Sequence, residues 1–297
     1  LLVAGIGLGG CAAEPLTLAA DPVELTDVPF FAQADFDCGP AALATILADT
    51  GVPVTADDLM PAVYVEGLHG SLQAELMAAA RRYGRIPYRV HTDPQSLSTE
   101  LGAGRPVLVL QNLGLPRAPV WHYAVVVGID PVRGRIVLRS GDQARRVEPI
   151  RRFLRQWRRA GRWGIVAVEA GVLPATATPH QLIRAIVDAG RYLTPAGRDA
   201  AYRSALERWS DDVVVLFAAA ANDYEQGRLN AAAALYRRLL AMEPADAAAH
   251  NNLANVLLEQ GRREEALAEA RAALSGLTPN DPLYDAVQDT LRHTREF

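Results

Sequence analysis

Between residue 38 and residue 168 the spacing of apolar positions changes from helical to alternating. "CGPAALATILADTG" predicts a helix from Cys38 that Gly51 ends. "VTADDL" carries an N-cap signal at Thr55 with acids in the first turn. "GSLQAELMAAARRYG" predicts a second amphipathic helix, with Ser71 as N-cap and Gly84 as its stop. "DPQSLSTELGAG" is a shorter one. The period then falls towards two. "RPVLVLQN", "HYAVVVGID", "GRIVLRSG" and "WGIVAVEA" are short β-branched runs bounded by turn residues. Asp130 to Gly134 is the turn between the second and third, which should pair antiparallel. Helices first and strands after them is an α+β pattern.

"GVLPATAT", residues 171–178, reads as a linker. Beyond it, residues 179–297 are almost wholly helical, rich in Ala and repetitive. "EQGR" at 225–228 returns at 259–262, an offset of 34 residues. Tyr202, Tyr236 and Ala270 stand on the same ladder, as do Leu206, Leu240 and Leu274. A period of 34 with Gly between two helices and Pro244 closing a unit resembles the tetratricopeptide repeat. The first unit is divergent, with Ser210 where a Pro stands later. Such arrays stack neighbouring units around a concave groove, which implies a protein partner.

The net charge of −4 gives no basic footprint for nucleic acid, and all 30 basic residues are Arg. No dinucleotide fingerprint, phosphate-binding Gly loop or metal-ligand cluster is present, so no cofactor is expected. Of the two cysteines, Cys11 closes the run "LLVAGIGLGGC". That run reads as the end of a secretory signal. "LGGC" resembles the lipobox of bacterial lipoproteins, which implies lipidation of Cys11 and a membrane anchor. Ala12 in place of Asp implies the outer membrane, with the protein facing the periplasm. Residues 1–27 are then signal remnant, lipobox and tether.

With Cys11 lipidated, Cys38 has no partner, and a free thiol in an oxidising compartment asks for a reason. Cys38 opens a helix, whose free N–H groups favour an anion. Gly39 permits a tight turn and Pro40 suits a first helical turn. A neighbouring imidazolium would lower the thiol further, from ~8.5 to below about 7. Of six histidines, His122 opens the most hydrophobic strand, either as a satisfied edge residue or as a positioned base.

Gln33, then "DCGPAALATIL", then "HYAVVVGID" resembles the papain-like cysteine peptidases that process bacteriocin leaders at a double glycine. The resemblance covers the domain at residues 28–170. It implies Cys38 as nucleophile, His122 as general base and Gln33 as oxyanion donor. It also implies a peptide or protein substrate. The family's third residue is an Asp at the end of the strand after the histidine strand. Here that slot holds Ser140, with Asp142 two residues on; Asp142 is taken as the third residue and Ser140 as the alternative. The expected protein is a lipid-anchored cysteine peptidase whose repeats recruit substrate or partner. The alternative is a binding or assembly lipoprotein whose peptidase fold no longer turns over.

Overall fold

The computed structural model describes residues 21–33 and 37–295. Cys11 lies outside the described residues. In chain order the first part holds β1 Val23–Glu24, α1 Cys38–Asp49, α2 Ala56–Val63, β2 Tyr64–Val65, β3 Gly70–Ser71 and α3 Gln73–Arg82. It continues with β4 Ile86–Arg89, α4 Pro94–Gly102, β5 Val107–Asn112, β6 Trp121–Asp130, β7 Arg135–Ser140, β8 Gln143–Pro149, α5 Ile150–Arg159 and β9 Gly164–Val168. The main sheet runs β4-β9-β5-β6-β7-β8, with β1 paired to β6, and every pairing is antiparallel.

Helix α1 is buried from Gly39 to Leu47, as its apolar composition requires, with Thr45 the one polar side chain, satisfied by the Ala41 carbonyl. It packs with α2 and α3 on one face of the sheet, against Tyr123, Val125 and Val127 of β6. The alternate β6 residues, Ala124 and Val126, face the other side with α4 and α5. Thr55 caps α2 as expected, in a capping box with Asp58. Ser71 does not cap α3. It pairs with Tyr64 in β3, and the cap position falls to Leu72, which makes no side-chain cap bond.

The second part is all-helical: α6 Pro179–Ala189, α7 Pro195–Arg208, α8 Val213–Glu225, α9 Leu229–Met242, α10 Ala247–Glu259, α11 Arg263–Ser275 and α12 Tyr284–His293. The 34-residue ladder has a physical basis here. Asp212 and Asp246 cap α8 and α10 through their side chains. Gly227 and Gly261 sit at φ +70 and +75, where the chain reverses between paired helices. Tyr236 and Leu253 are buried in the core between those pairs, with Ala232 and Ala266 as small packing points.

The helices do not hang from a free tether. Leu182, Ile186 and Ala189 of α6, with Ala201 of α7 and Val215 of α8, belong to one core with Tyr88, Val166 and Val168 of the sheet. Residues 171–178 are fastened as well. The fully buried Glu100 accepts from Thr176 N at 2.8 Å, Thr176 Oγ1 at 2.6 Å and Ala175 N at 3.1 Å. Tyr88 Oη donates to Gln181 Oε1 at 2.7 Å, and Arg81 pairs with Asp188 at 3.0 Å.

Candidate active site

The site lies where β6 and β7 part. Their ladder runs from Asp130↔Arg135 to Val125↔Arg139, with a register shift between Val126 and Gly128. Beyond Arg139, Gln33 and Cys38 stand against β6 where β7 no longer pairs with it. The main-chain amide of Tyr123 favours the Cys38 thiolate, and its carbonyl accepts from Gln33 Nε2 at 3.2 Å. Gln33 is clamped to the β7–β8 turn. Its N–H donates to the Gly141 carbonyl at 2.9 Å, and its Oε1 accepts from Gly141 N at 2.7 Å. That second bond needs an acceptor, which fixes the amide with its NH₂ group towards Cys38, 3.5 Å from the Cys38 carbonyl. Arg139 holds the preceding stretch, donating to Thr26 O at 2.9 Å and Val28 O at 3.0 Å.

Cys38 starts α1. Besides Tyr123, the N–H groups of Gly39 and of Cys38 itself bear on its sulfur. Burial nevertheless dominates and pushes the thiol pKa up, and the Asp37 carboxylate adds to the rise. Gly39 cannot carry a side chain cheaply: a Cβ there would lie 2.4 Å from Ser71 Oγ. The Ser71 carbonyl in turn accepts from Tyr123 Oη at 3.1 Å, so β3 is pinned beside the start of α1.

His122 Nε2 lies 2.8 Å from Ser140 Oγ. The partner of the ring is thus the alternative residue, not Asp142. The reason is local: β7 ends at Ser140, Gly141 turns the chain at φ +64, and Asp142 falls in the exposed two-residue turn closed by Ser140↔Gln143. Burial, aided by the Arg146 cation, lowers the His122 pKa to about 4. With the thiol raised and the ring lowered, the resting pair is neutral, and no hydrogen bond joins the two side chains directly. Both directions run against a resting thiolate–imidazolium pair. A serine supplies no negative charge to the ring, and Arg146 opposes its protonation. Among the described residues no group of three or more His, Cys, Asp and Glu could hold a metal.

Residues 25–165 match the model of the Peptidase_C39 like family. They form a C39-like domain. Residues 217–282 match a tetratricopeptide repeat family. Two solved structures are similar to the C39-like part. A C39-like peptidase from Bacillus anthracis shares 20% identity over 50% of this chain and 98% of its own, with a TM-score of 0.42. The peptidase domain of Streptococcus ComA, a bi-functional ABC transporter of a quorum-sensing pathway, shares 18% over 48% and 98%, with a TM-score of 0.38. Among curated proteins no match was found.

Three residues of this C39-like site escaped the sequence reading. Tyr123 serves through its main chain, which leaves no compositional mark. Gly141 was legible as the Gly of a tight turn after a strand. Arg146 sits in an edge strand too polar to announce itself.

Proposed function

We propose that this protein is a cysteine peptidase that hydrolyses a peptide bond in a peptide or protein substrate. The observation that carries the reading is Cys38 at the start of α1 with the Gln33 amide reaching both its carbonyl and that of Tyr123, the residue after His122 in β6. Sulfur attacks the scissile carbonyl carbon while its proton passes to His122. The carbonyl oxygen, now negative, is met by the Gln33 NH₂ and the Cys38 N–H. His122 gives the proton to the leaving amine, and water then releases the acyl group from sulfur. Because the resting pair is neutral, proton transfer accompanies attack instead of preceding it. The test is digestion of a peptide library by the wild type and by Cys38→Ala. Products from the wild type alone support the reading; identical digests overturn it.

The repeats supply a groove of about 640 Å³ lined by Ile183, Val187, Val214 and Phe217, suited to a protein partner or to the substrate. The same reading places a lipid on Cys11 and the protein on the periplasmic side of the outer membrane. Expressed behind an intact signal, the protein should sediment with membranes, and Cys11→Ser should release it. Equal sedimentation of the two forms would remove the anchor from the reading.

A further inference from the structure

The arginines are unevenly placed. Residues 133–162 hold eleven of the 30, against two acids, Asp142 and Glu148, a local charge of +9 in a chain whose net charge is −4. Three of the eleven are paired: Arg133 with Asp130, Arg145 with Glu24, and Arg152 with Glu148. Helix α5 buries Ile150, Phe153 and Trp157 in the core and turns its arginines to solvent. Among the described residues Arg151, Arg155 and Arg158, on one stripe at helical spacing, have no acidic partner within ion-pair distance.

The C-terminal half of α5 approaches the candidate catalytic residues, through its buried side at Gln156 and through the exposed Arg159. Gln156 of α5 accepts from Gln111 Nε2 at 3.1 Å, and Gln111 pairs with His122 across β5 and β6. Arg159 Nη1 donates to Gly114 O at 2.8 Å, in the loop that leads into β6. Arg146 faces Leu138 across β7 and β8, two residues from Ser140 on the same side of β7, and it too lacks an acidic partner among the described residues. We propose that the arginine face of α5, continued by Arg146, binds an acidic segment of the peptide substrate and leads the chain to Cys38.

The proposal rests on the peptidase reading for the word substrate, and its surface is argued independently. Guanidinium forks match carboxylates in pairs, and a one-sign surface beside a cleft raises the local concentration of the opposite charge. A lipid surface fits less well. A helix that lies in a membrane needs a free apolar face, and that of α5 is sealed in the core.

The test uses fluorescein-labelled decaglutamate and decalysine, followed by anisotropy on the full chain carrying Cys38→Ala. Decaglutamate should bind and decalysine should not, and affinity should fall as salt rises. Arg151→Gln, Arg155→Gln and Arg158→Gln combined should weaken binding by about fivefold or more, each exposed charge counting for little alone. Arg146→Gln should weaken it further. On the wild type, decaglutamate should slow alkylation of Cys38 by iodoacetamide. Equal binding of the two peptides, indifference to the arginine variants, or binding without protection of Cys38 would overturn the proposal. So would tight binding to phosphatidylglycerol vesicles with none to decaglutamate. Binding and protection in a chain that digests no peptide would sustain the acidic site and overturn the peptidase reading alone.

Discussion

Ser140→Asp is expected to raise the rate at which iodoacetamide alkylates Cys38 at pH 7 by at least about tenfold. In the wild type the ring of His122 has a neutral hydroxyl at 2.8 Å and a cation nearby, and its pKa is lowered to about 4. Burial raises that of Cys38. The reactive thiolate therefore forms only as pH climbs through the raised thiol pKa, and the wild-type rate should rise steeply on the alkaline side with no plateau at neutral pH. A carboxylate within ~4–6 Å moves an ionisable partner by about 1–3 units. An Asp at 140 would raise the imidazole by that amount and favour transfer of the thiol proton to it. The profile should then gain an acid limb that His122→Ala removes. Ser140→Ala should leave the alkaline profile in place. If Ser140→Asp matches the wild type at pH 7 while remaining folded, His122 does not govern the thiol.

Glu100→Ala should lower the melting temperature by roughly 6–10 °C. The change strips acceptors from Ala175 N, Thr176 N and Thr176 Oγ1, and takes the carboxylate from Arg105, whose Nε lies 3.7 Å away. Removing one partner of a buried charged cluster costs about 3–5 kcal/mol. Chains of 150–250 residues lose about 2–4 °C per kcal/mol, and the lower end suits this longer one. Glu100→Gln keeps one acceptor oxygen and should fall between. A shift within about 2 °C for Glu100→Ala would mean that the 171–178 segment carries none of the load assigned to it.

The long periodic elements were legible in the sequence because their own side chains decide them. Helix α1, the turn at Asp130 to Gly134 and the 34-residue ladder all rest on local spacing. Cys38 and His122 could be named for the same reason, each standing at the edge of such an element, whereas Gln33 was named through the family resemblance alone. What could not be read depends on partners far along the chain. The two-residue strands β1, β2 and β3 exist only through their pairing, and Ser71 was drawn from a cap into one of them. Asp142 is close to His122 in register, yet a single glycine turn carries it into solvent. Helix α5 did leave a signal, Ile150, Phe153 and Trp157 at helical spacing, beneath a run of arginines. Residues 171–178 have the composition of a linker, and the buried carboxylate of Glu100, with Tyr88, Arg105 and Ser204, makes them a seam.

The shared core sets the order in which the molecule opens. Helices α6, α7 and α8 are sealed against the sheet, whereas α10, α11 and α12 meet over a small cluster of Ala254, Ala270 and Leu291. Regions with little buried apolar surface open at the least free energy. Fraying therefore begins at α12 and dies out before α8. The C-terminal helices can loosen and reclose while Ile183, on the groove wall and in the core shared with the sheet, stays in place.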